Sequence, residues 1–243
     1  MPVATVGFIY PDHAAEDDYP RAAALLDAAL PVAHIYGTDL HAIPELLDLG
    51  SPEKLRHGAE LLAASAPAAV VWACTSGSFV YGPEGARGQV DGLAAAAGVP
   101  ASSTSFAFVA AARALGLRRV AVAASYPDEV ARLFVDFLAD AGIEVVSMAS
   151  AGIDTAAEVG TLTPDQVLGL AVANDHPGAQ GLLIPDTAMH TLEVLPKLEA
   201  ALGKPVLTAN QVTIWEGLRL AGVMPVAAGL GALFAEGGRH VDH

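Results

Sequence analysis

Short apolar runs alternate along the chain with longer stretches in which apolar positions recur every three or four residues. The runs at 3–10, 32–36, 68–73, 119–124, 144–147, 181–184 and 205–207 lack polar alternation. They read as strands buried on both faces. The longer stretches predict helices, among them 20–29, 52–64, 128–140, 164–173, 192–202 and 212–221. Boundary residues agree with the periodicity. Ser51-Pro52 and Thr163-Pro164 each set a capping hydroxyl before a proline at the first helical position, and Gly142 follows the helix predicted to end at 140. Strands alternating with helices in this way build parallel sheets from βαβ units.

The pattern occurs twice. Gly98-Val99-Pro100 leads on to Gly116, and Gly203-Lys204-Pro205 leads on to Gly222, at offsets of 105 (Pro to Pro) and 106 (Gly to Gly) positions. Upstream, Ile9-Tyr10-Pro11-Asp12 recurs as Ser125-Tyr126-Pro127-Asp128, and 68–75 recurs as 179–187 after a one-residue adjustment. The expectation is an α/β protein of two pseudo-symmetric halves, each a short parallel sheet flanked by helices, with a site in the cleft between them. Residues 1–113 with 210–243 would form the first half and 114–209 the second.

Composition narrows the function. The chain has 243 residues, 53% of them hydrophobic, which excludes disorder for most of its length. A single cysteine, Cys74, excludes a disulfide framework and a cysteine-built zinc site. A net charge of −15 disfavours nucleic acid and anionic membranes, which need a cationic face. No signal peptide or spanning segment is legible, so a soluble cytoplasmic protein is expected, and a homo-oligomer is compatible with this. The histidines have no metal-ligand spacing and 82–92 matches no phosphate-binding glycine motif, so neither a metal nor a nucleotide is expected. The acidic run Asp12, Glu16, Asp17 and Asp18 reads as a solvated face.

Candidate chemistry gathers where strands end, because ligands of parallel sheets bind outside the carboxyl ends of strands. Cys74-Thr75-Ser76-Gly77-Ser78 follows one strand and Pro185-Asp186-Thr187-Ala188 follows its repeat partner. Pro11 follows the first strand, and Ser125-Tyr126 follows the strand at 119–124. A pseudo-twofold axis would aim Cys74 and Asp186 at one site from opposite sides. That suits acid/base or nucleophilic chemistry at carbon, with Cys74 as nucleophile or base and Asp186 as the opposing acid or base. Cys74 has a second reading, a small buried hydrophobe, and Asp186 another, a turn or helix cap. Amides at the start of a helix after Cys74 would lower its thiol from the usual value of roughly 8.5. Thr75, Ser76, Tyr126, Thr187, Pro11 and Ala188 are the candidate contacts for a small carboxylate substrate. Their hydroxyls and nearby amides would cradle the carboxylate and the charge that builds on it.

The segments at 71–79, 123–128 and 181–187 resemble the aspartate/glutamate racemase superfamily, in the branch of maleate cis-trans isomerases and arylmalonate decarboxylases. The resemblance runs from Gly7 to about Gly229. It implies two pseudo-symmetric α/β halves and no metal or organic cofactor. Isomerases and racemases of the family place one cysteine in each half. Cys74 matches the first, and Asp186 stands where the second would be. Arylmalonate decarboxylase keeps only the second cysteine, with Thr-Ser after the first strand and a tyrosine matching Tyr126 to hold the reacting carboxylate. Maleate isomerases carry an asparagine where this chain reads Pro11-Asp12-His13-Ala14. The leading expectation is therefore a cofactor-independent isomerase or racemase of a small carboxylic acid, of the maleate isomerase kind. The alternatives are a decarboxylase of a malonate-type acid and a non-catalytic binder of small acids.

Overall fold

A computed structural model describes residues 4–11, 14–224 and 226–235. Asp12, His13, His240 and His243 lie outside the described residues.

Among the described residues, eight strands form two sheets. They are β1 (Val6–Tyr10), β2 (Val32–His34), β3 (Ala69–Trp72), β4 (Ala101–Ser103), β5 (Arg119–Ala124), β6 (Glu144–Ser150), β7 (Gly181–Ile184) and β8 (Val206–Thr208). The sheet orders are β2-β1-β3-β4 and β6-β5-β7-β8, and every pairing is parallel. The second order is the first shifted by four strands, which is the topology the sequence repeat predicts. β1, β3 and β7 are buried along their whole length, as strands covered by helices on both faces must be. β6 is an edge strand and stays partly exposed.

The repeat also locates the sites. In each sheet the chain leaves the central strand toward one edge and returns on its other side, between β1 and β3 and between β5 and β7. The carboxyl ends of these pairs flank a crevice. They carry Pro11 and Cys74 in one sheet, and Ser125 and Asp186 in the other.

Two helices tie the sheets together. Thr104–Ala114 follows β4 and Ala209–Leu220 follows β8, and the two pack on each other. Thr104 Oγ1 and Thr213 Oγ1 lie 2.7 Å apart between them. Ala209–Leu220 also lies against β1, β3 and β4 of the first sheet. A Cβ on Gly217 would come within 2.5 Å of Val6 Cγ1, so only glycine allows this approach. Phe79 stacks on Tyr126 (5.9 Å) and on Phe134 (5.5 Å), joining the turn after β3 to the turn after β5 and to helix Asp128–Asp140.

Several boundaries differ from the expectation. The helix expected at 20–29 runs Asp18–Leu26 and stops where Asp27 takes a left-handed conformation (φ 48°). The helix expected at 192–202 starts at Leu195. The helix expected at 212–221 starts at Ala209, where Gln211 Oε1 accepts the Thr208 backbone N–H at 3.1 Å. β4 was not expected, because Ala101-Ser102-Ser103 is not an apolar run.

Candidate active site

The turn after β3 is built to hold Cys74. Helix Ser76–Phe79 begins two residues later, and the Gly77 amide donates to Cys74 Sγ at 3.3 Å. Ser76 Oγ lies 3.8 Å from the sulfur. Buried polar groups fix the turn. Ser105 Oγ donates to the Thr75 carbonyl (2.8 Å), and Gln89 Nε2 donates to the carbonyls of Gly77 (2.9 Å) and Gly50 (2.7 Å). Amide contact stabilises a thiolate, so the thiol can give up a proton without losing its place.

The turn after β7 holds Asp186 differently. Ala188 N–H donates to Asp186 Oδ1 at 2.9 Å, closing a local turn, and the Ser125 hydroxyl donates to Oδ2. Asp186 thus closes a local turn, and it does not cap the helix that follows, whose N-cap is Val194. Beneath the turn, the Thr187 carbonyl accepts from Tyr10 Oη (2.6 Å) and Asn210 Nδ2 (3.1 Å).

Asn210 Nδ2 also donates to Asp18 Oδ2 at 3.0 Å, and Asp18 accepts the Leu192 amide at 3.4 Å. Asp18 is therefore not part of a solvated acidic face; it is 2% exposed. Burial pushes its carboxyl from the usual 3.8 up to about 6, with the Asp17 charge adding to the shift and the Asn210, Thr191 and Leu192 hydrogen bonds opposing it. The native chain thus takes up this proton more readily than the unfolded chain between about pH 4 and 6. Stability falls as pH rises through that window, by about 3 kcal/mol in all. Asp18→Asn removes the titration. The melting temperature of Asp18→Asn relative to the natural protein should climb by several degrees between pH 4 and 7.5. A difference that stays flat across this range would show that Asp18 does not titrate there.

A segment that sequence reasoning missed closes the site. After β2 the chain crosses from the first sheet to the second. Leu40 bridges Thr155, the His41 amide donates to Asp154 O (2.7 Å), and the Ala156 amide donates to Asp39 O (2.9 Å). This brings His41, 7% exposed, beside Asp186, with Nε2 at 3.8 Å from Oδ2. Its Nδ1 lies 3.0 Å from the Ile153 carbonyl, and its ring meets Tyr126 edge-on at 4.9 Å. The signal was present: 37–41 follows the carboxyl end of a strand, like every other candidate loop.

Cys74, Ser76, Asp186, Thr187, Ala188 and Pro11 line one cavity of about 50 Å³, together with the missed His41. Leu40, Leu46, Leu49 and Ala156 supply an apolar wall. Thr75 and Tyr126 do not line it; they lie fully buried behind it. Thr75 Oγ1 is sealed from solvent without a hydrogen-bond partner of standard geometry. The Tyr126 phenol donates to Pro185 O at 2.7 Å. Burial first, then the charges of Asp186 and Cys74, raise its pKa well above the usual tyrosine value, so it stays protonated. The nearby Thr75 and Ser76 hydroxyls oppose that shift without cancelling it. Among the described residues no cluster of His, Cys, Asp and Glu could hold a metal, and no helix is long and apolar enough to cross a membrane.

Comparison with known proteins places this geometry among characterised enzymes. The family model for arylmalonate decarboxylase matches residues 48–234. Arylmalonate decarboxylase of Bordetella bronchiseptica is 33% identical over 168 residues, covering 67% of this chain and 69% of that protein. A maleate isomerase of Pseudomonas putida is 27% identical over 137 residues, 56% of this chain and 55% of that protein. Among solved structures, a double mutant of arylmalonate decarboxylase in its liganded form superposes with a TM-score of 0.85 at 28% identity, over 97% of this chain and 99% of that one. The maleate isomerase Iso of Pseudomonas putida S16 shares the fold, with a TM-score of 0.89 at 20% identity over 96% and 99% of the two chains.

Proposed function

Because the chain belongs to the arylmalonate decarboxylase family, we propose that it decarboxylates a malonate-type acid without a cofactor, with Cys74 as the proton donor. One observation carries this reading over isomerisation. Cys74 is the chain's only thiol, and the equivalent place in the other half holds a carboxylate whose two oxygens already accept hydrogen bonds. A thiolate that adds to a double bond needs a partner that can exchange protons freely. Asp186, engaged on both oxygens, is poorly suited to that.

The reaction divides between the walls of the cavity. One substrate carboxylate is held near Thr75 and Ser76, where hydroxyls and turn amides take up charge as the enediolate forms. The other faces Leu46, Leu49 and Ala156. An ion is disfavoured in such surroundings and neutral carbon dioxide is not. The Cα–carboxylate bond breaks, its electron pair passes into the remaining carboxylate, and Cys74 protonates the α-carbon. The Gly77 amide then stabilises the thiolate left behind.

The isomerisation expected from the sequence keeps support from the maleate isomerases among the relatives. The division into 1–113 with 210–243 and 114–209 is supported by the packing of Ala209–Leu220 on the first sheet. A turnover screen separates the readings. Carbon dioxide release from an aryl-substituted malonate, absent in Cys74→Ala, is the expected result. Conversion of maleate to fumarate with no release from any malonate would restore the isomerase reading. Saturable binding of either acid without turnover would leave a small-acid binder.

A further inference from the structure

Beneath one wall of the cavity lies a carboxyl that the decarboxylation does not use. Asp18 opens helix Asp18–Leu26 and is buried. Its Oδ2 accepts Asn210 Nδ2 (3.0 Å) and the Thr191 amide (3.5 Å), and its Oδ1 accepts the Leu192 amide (3.4 Å). The other hydrogen of Asn210 Nδ2 goes to the Thr187 carbonyl (3.1 Å), which also accepts the Tyr10 phenol (2.6 Å). Tyr19 Oη donates to Asn210 Oδ1 at 3.5 Å, which turns the amide nitrogen toward Asp18. The chain from Thr187 to Leu192 is thus tied to one carboxylate, directly at Thr191 and Leu192 and through Asn210 at Thr187. Asp186, Thr187 and Ala188, at the start of that stretch, line the cavity. The charged groups around Asp18 pair with one another. Asp17 meets His190 at 2.8 Å, Glu16 meets His34 at 3.3 Å and Arg21 meets Glu193 at 3.0 Å. The first turn of helix Ala209–Leu220 carries no charged residue, and its Glu216 pairs with its Arg219 at 2.8 Å. The partners that hold Asp18 are therefore neutral N–H donors.

We propose that Asp18 is a positioning residue for this site: its carboxylate, acting through Asn210 and the Thr191 and Leu192 amides, holds the turn after β7 in its acid-binding form, so that proton uptake by Asp18 weakens binding of the acid. An ionised carboxylate only accepts, and its hydrogen bonds are roughly twice as strong as neutral ones. Once protonated, it must use one oxygen to donate, and its hold on the N–H groups slackens. The Asn210, Thr191 and Leu192 bonds favour the ionised form, whereas burial first and the Asp17 charge second oppose it, leaving the carboxyl at about 6. The sign follows. Above that value the turn is held and the acid binds tightly; as pH falls through it, the turn loosens and affinity drops. The fold itself responds the other way, since burial makes the ionised form the costlier one. Binding and stability therefore change in opposite directions across the same window. This rests on the decarboxylase reading only in taking the cavity as the place where the acid binds.

The test measures the affinity of the full-length protein for 2-phenylpropanoate by calorimetry between about pH 5 and 7.5. Carbon dioxide release from 2-methyl-2-phenylmalonate is followed alongside. The natural protein is expected to bind the acid about tenfold more weakly at the lower pH, the scale of one charge-assisted hydrogen bond. Asp18→Asn should bind weakly throughout, with no step. Asn210→Ala should keep a step but move its midpoint to higher pH, because a bond that favours the ionised form is gone. His190→Gln, which removes the histidine paired with Asp17, should leave the step in place. Hydrogen exchange reads the turn without any ligand. At pH 7.5 the Thr191 and Leu192 amides should exchange about tenfold faster in Asp18→Asn than in the natural protein, and at pH 5 the two should agree. Melting curves identify any variant that fails to fold, and Asn210→Ala decides the matter if Asp18→Asn does. A step that persists in Asp18→Asn, or one that vanishes in His190→Gln, overturns the proposal. So does an Asn210→Ala midpoint that stays put. Carbon dioxide release with affinity flat across the range overturns it and leaves the decarboxylase reading standing. The step without carbon dioxide release upholds Asp18 and sinks the decarboxylase reading. Neither binding nor release removes both.

Discussion

Cys74→Ser is expected to lower kcat for decarboxylation of an aryl-substituted malonate by at least about a hundredfold, the usual scale for loss of an acid/base group. The change is small in volume and falls on a buried side chain, 4% exposed, so stability should move little. The chemistry moves a great deal. A hydroxyl gives up its proton far less readily than a thiol, and the Gly77 amide at 3.3 Å from sulfur is placed to stabilise a thiolate. The turn around it stays anchored by Ser105 and Gln89, so the loss should appear in kcat more than in KM. Steady-state kinetics on both proteins, with melting curves to confirm folding, decide the matter. A serine variant with near-normal kcat would return Cys74 to the role of a small buried hydrophobe and end the mechanism proposed for it.

Much of this architecture is legible in the sequence, and the reasons differ by element. Arg119–Ala124, Asp128–Asp140 and Gly181–Ile184 appear where the apolar pattern places them, because a turn or a charged residue bounds each one. β4 was not read, since Ala101-Ser102-Ser103 is polar. Its serines are buried because Ser103 reaches Ser78, a contact no local pattern encodes. The repeat nevertheless pointed there, since 205–207 has its counterpart at 100–102. Asp18 was misread for a similar reason. A carboxylate in an acidic run looks solvated until the Asn210 amide, 192 positions away, is brought to it. His41 was missed although its loop obeys the rule that found Cys74 and Asp186. What the rule does not show is that this loop crosses the cleft, and the crossing depends on pairing between Leu40 and Thr155. The strand-end residues of the site were thus readable one by one. The partners that orient them come from tertiary contacts.

Thr75→Val is expected to separate activity from stability in a way no purely structural residue would. Thr75 is fully buried, and its hydroxyl is sealed without a hydrogen-bond partner of standard geometry. A buried hydroxyl left in that state costs about 1–3 kcal/mol. Valine keeps the shape and removes the cost, so the melting temperature should hold or rise. The backbone contact from Ser105 Oγ to the Thr75 carbonyl survives the exchange. Catalysis should fall by about a hundred- to a thousandfold in kcat, the scale for losing one donor to a developing oxyanion. In the proposed mechanism the hydroxyl, which sits behind the cavity wall beside the Tyr126 phenol, turns to the charge forming on the substrate carboxylate. Thr75→Ser, which keeps the donor, should retain most of the activity. The opposite pattern, a less stable valine variant with its activity intact, would show that the hydroxyl is satisfied within the fold and takes no part in holding the substrate.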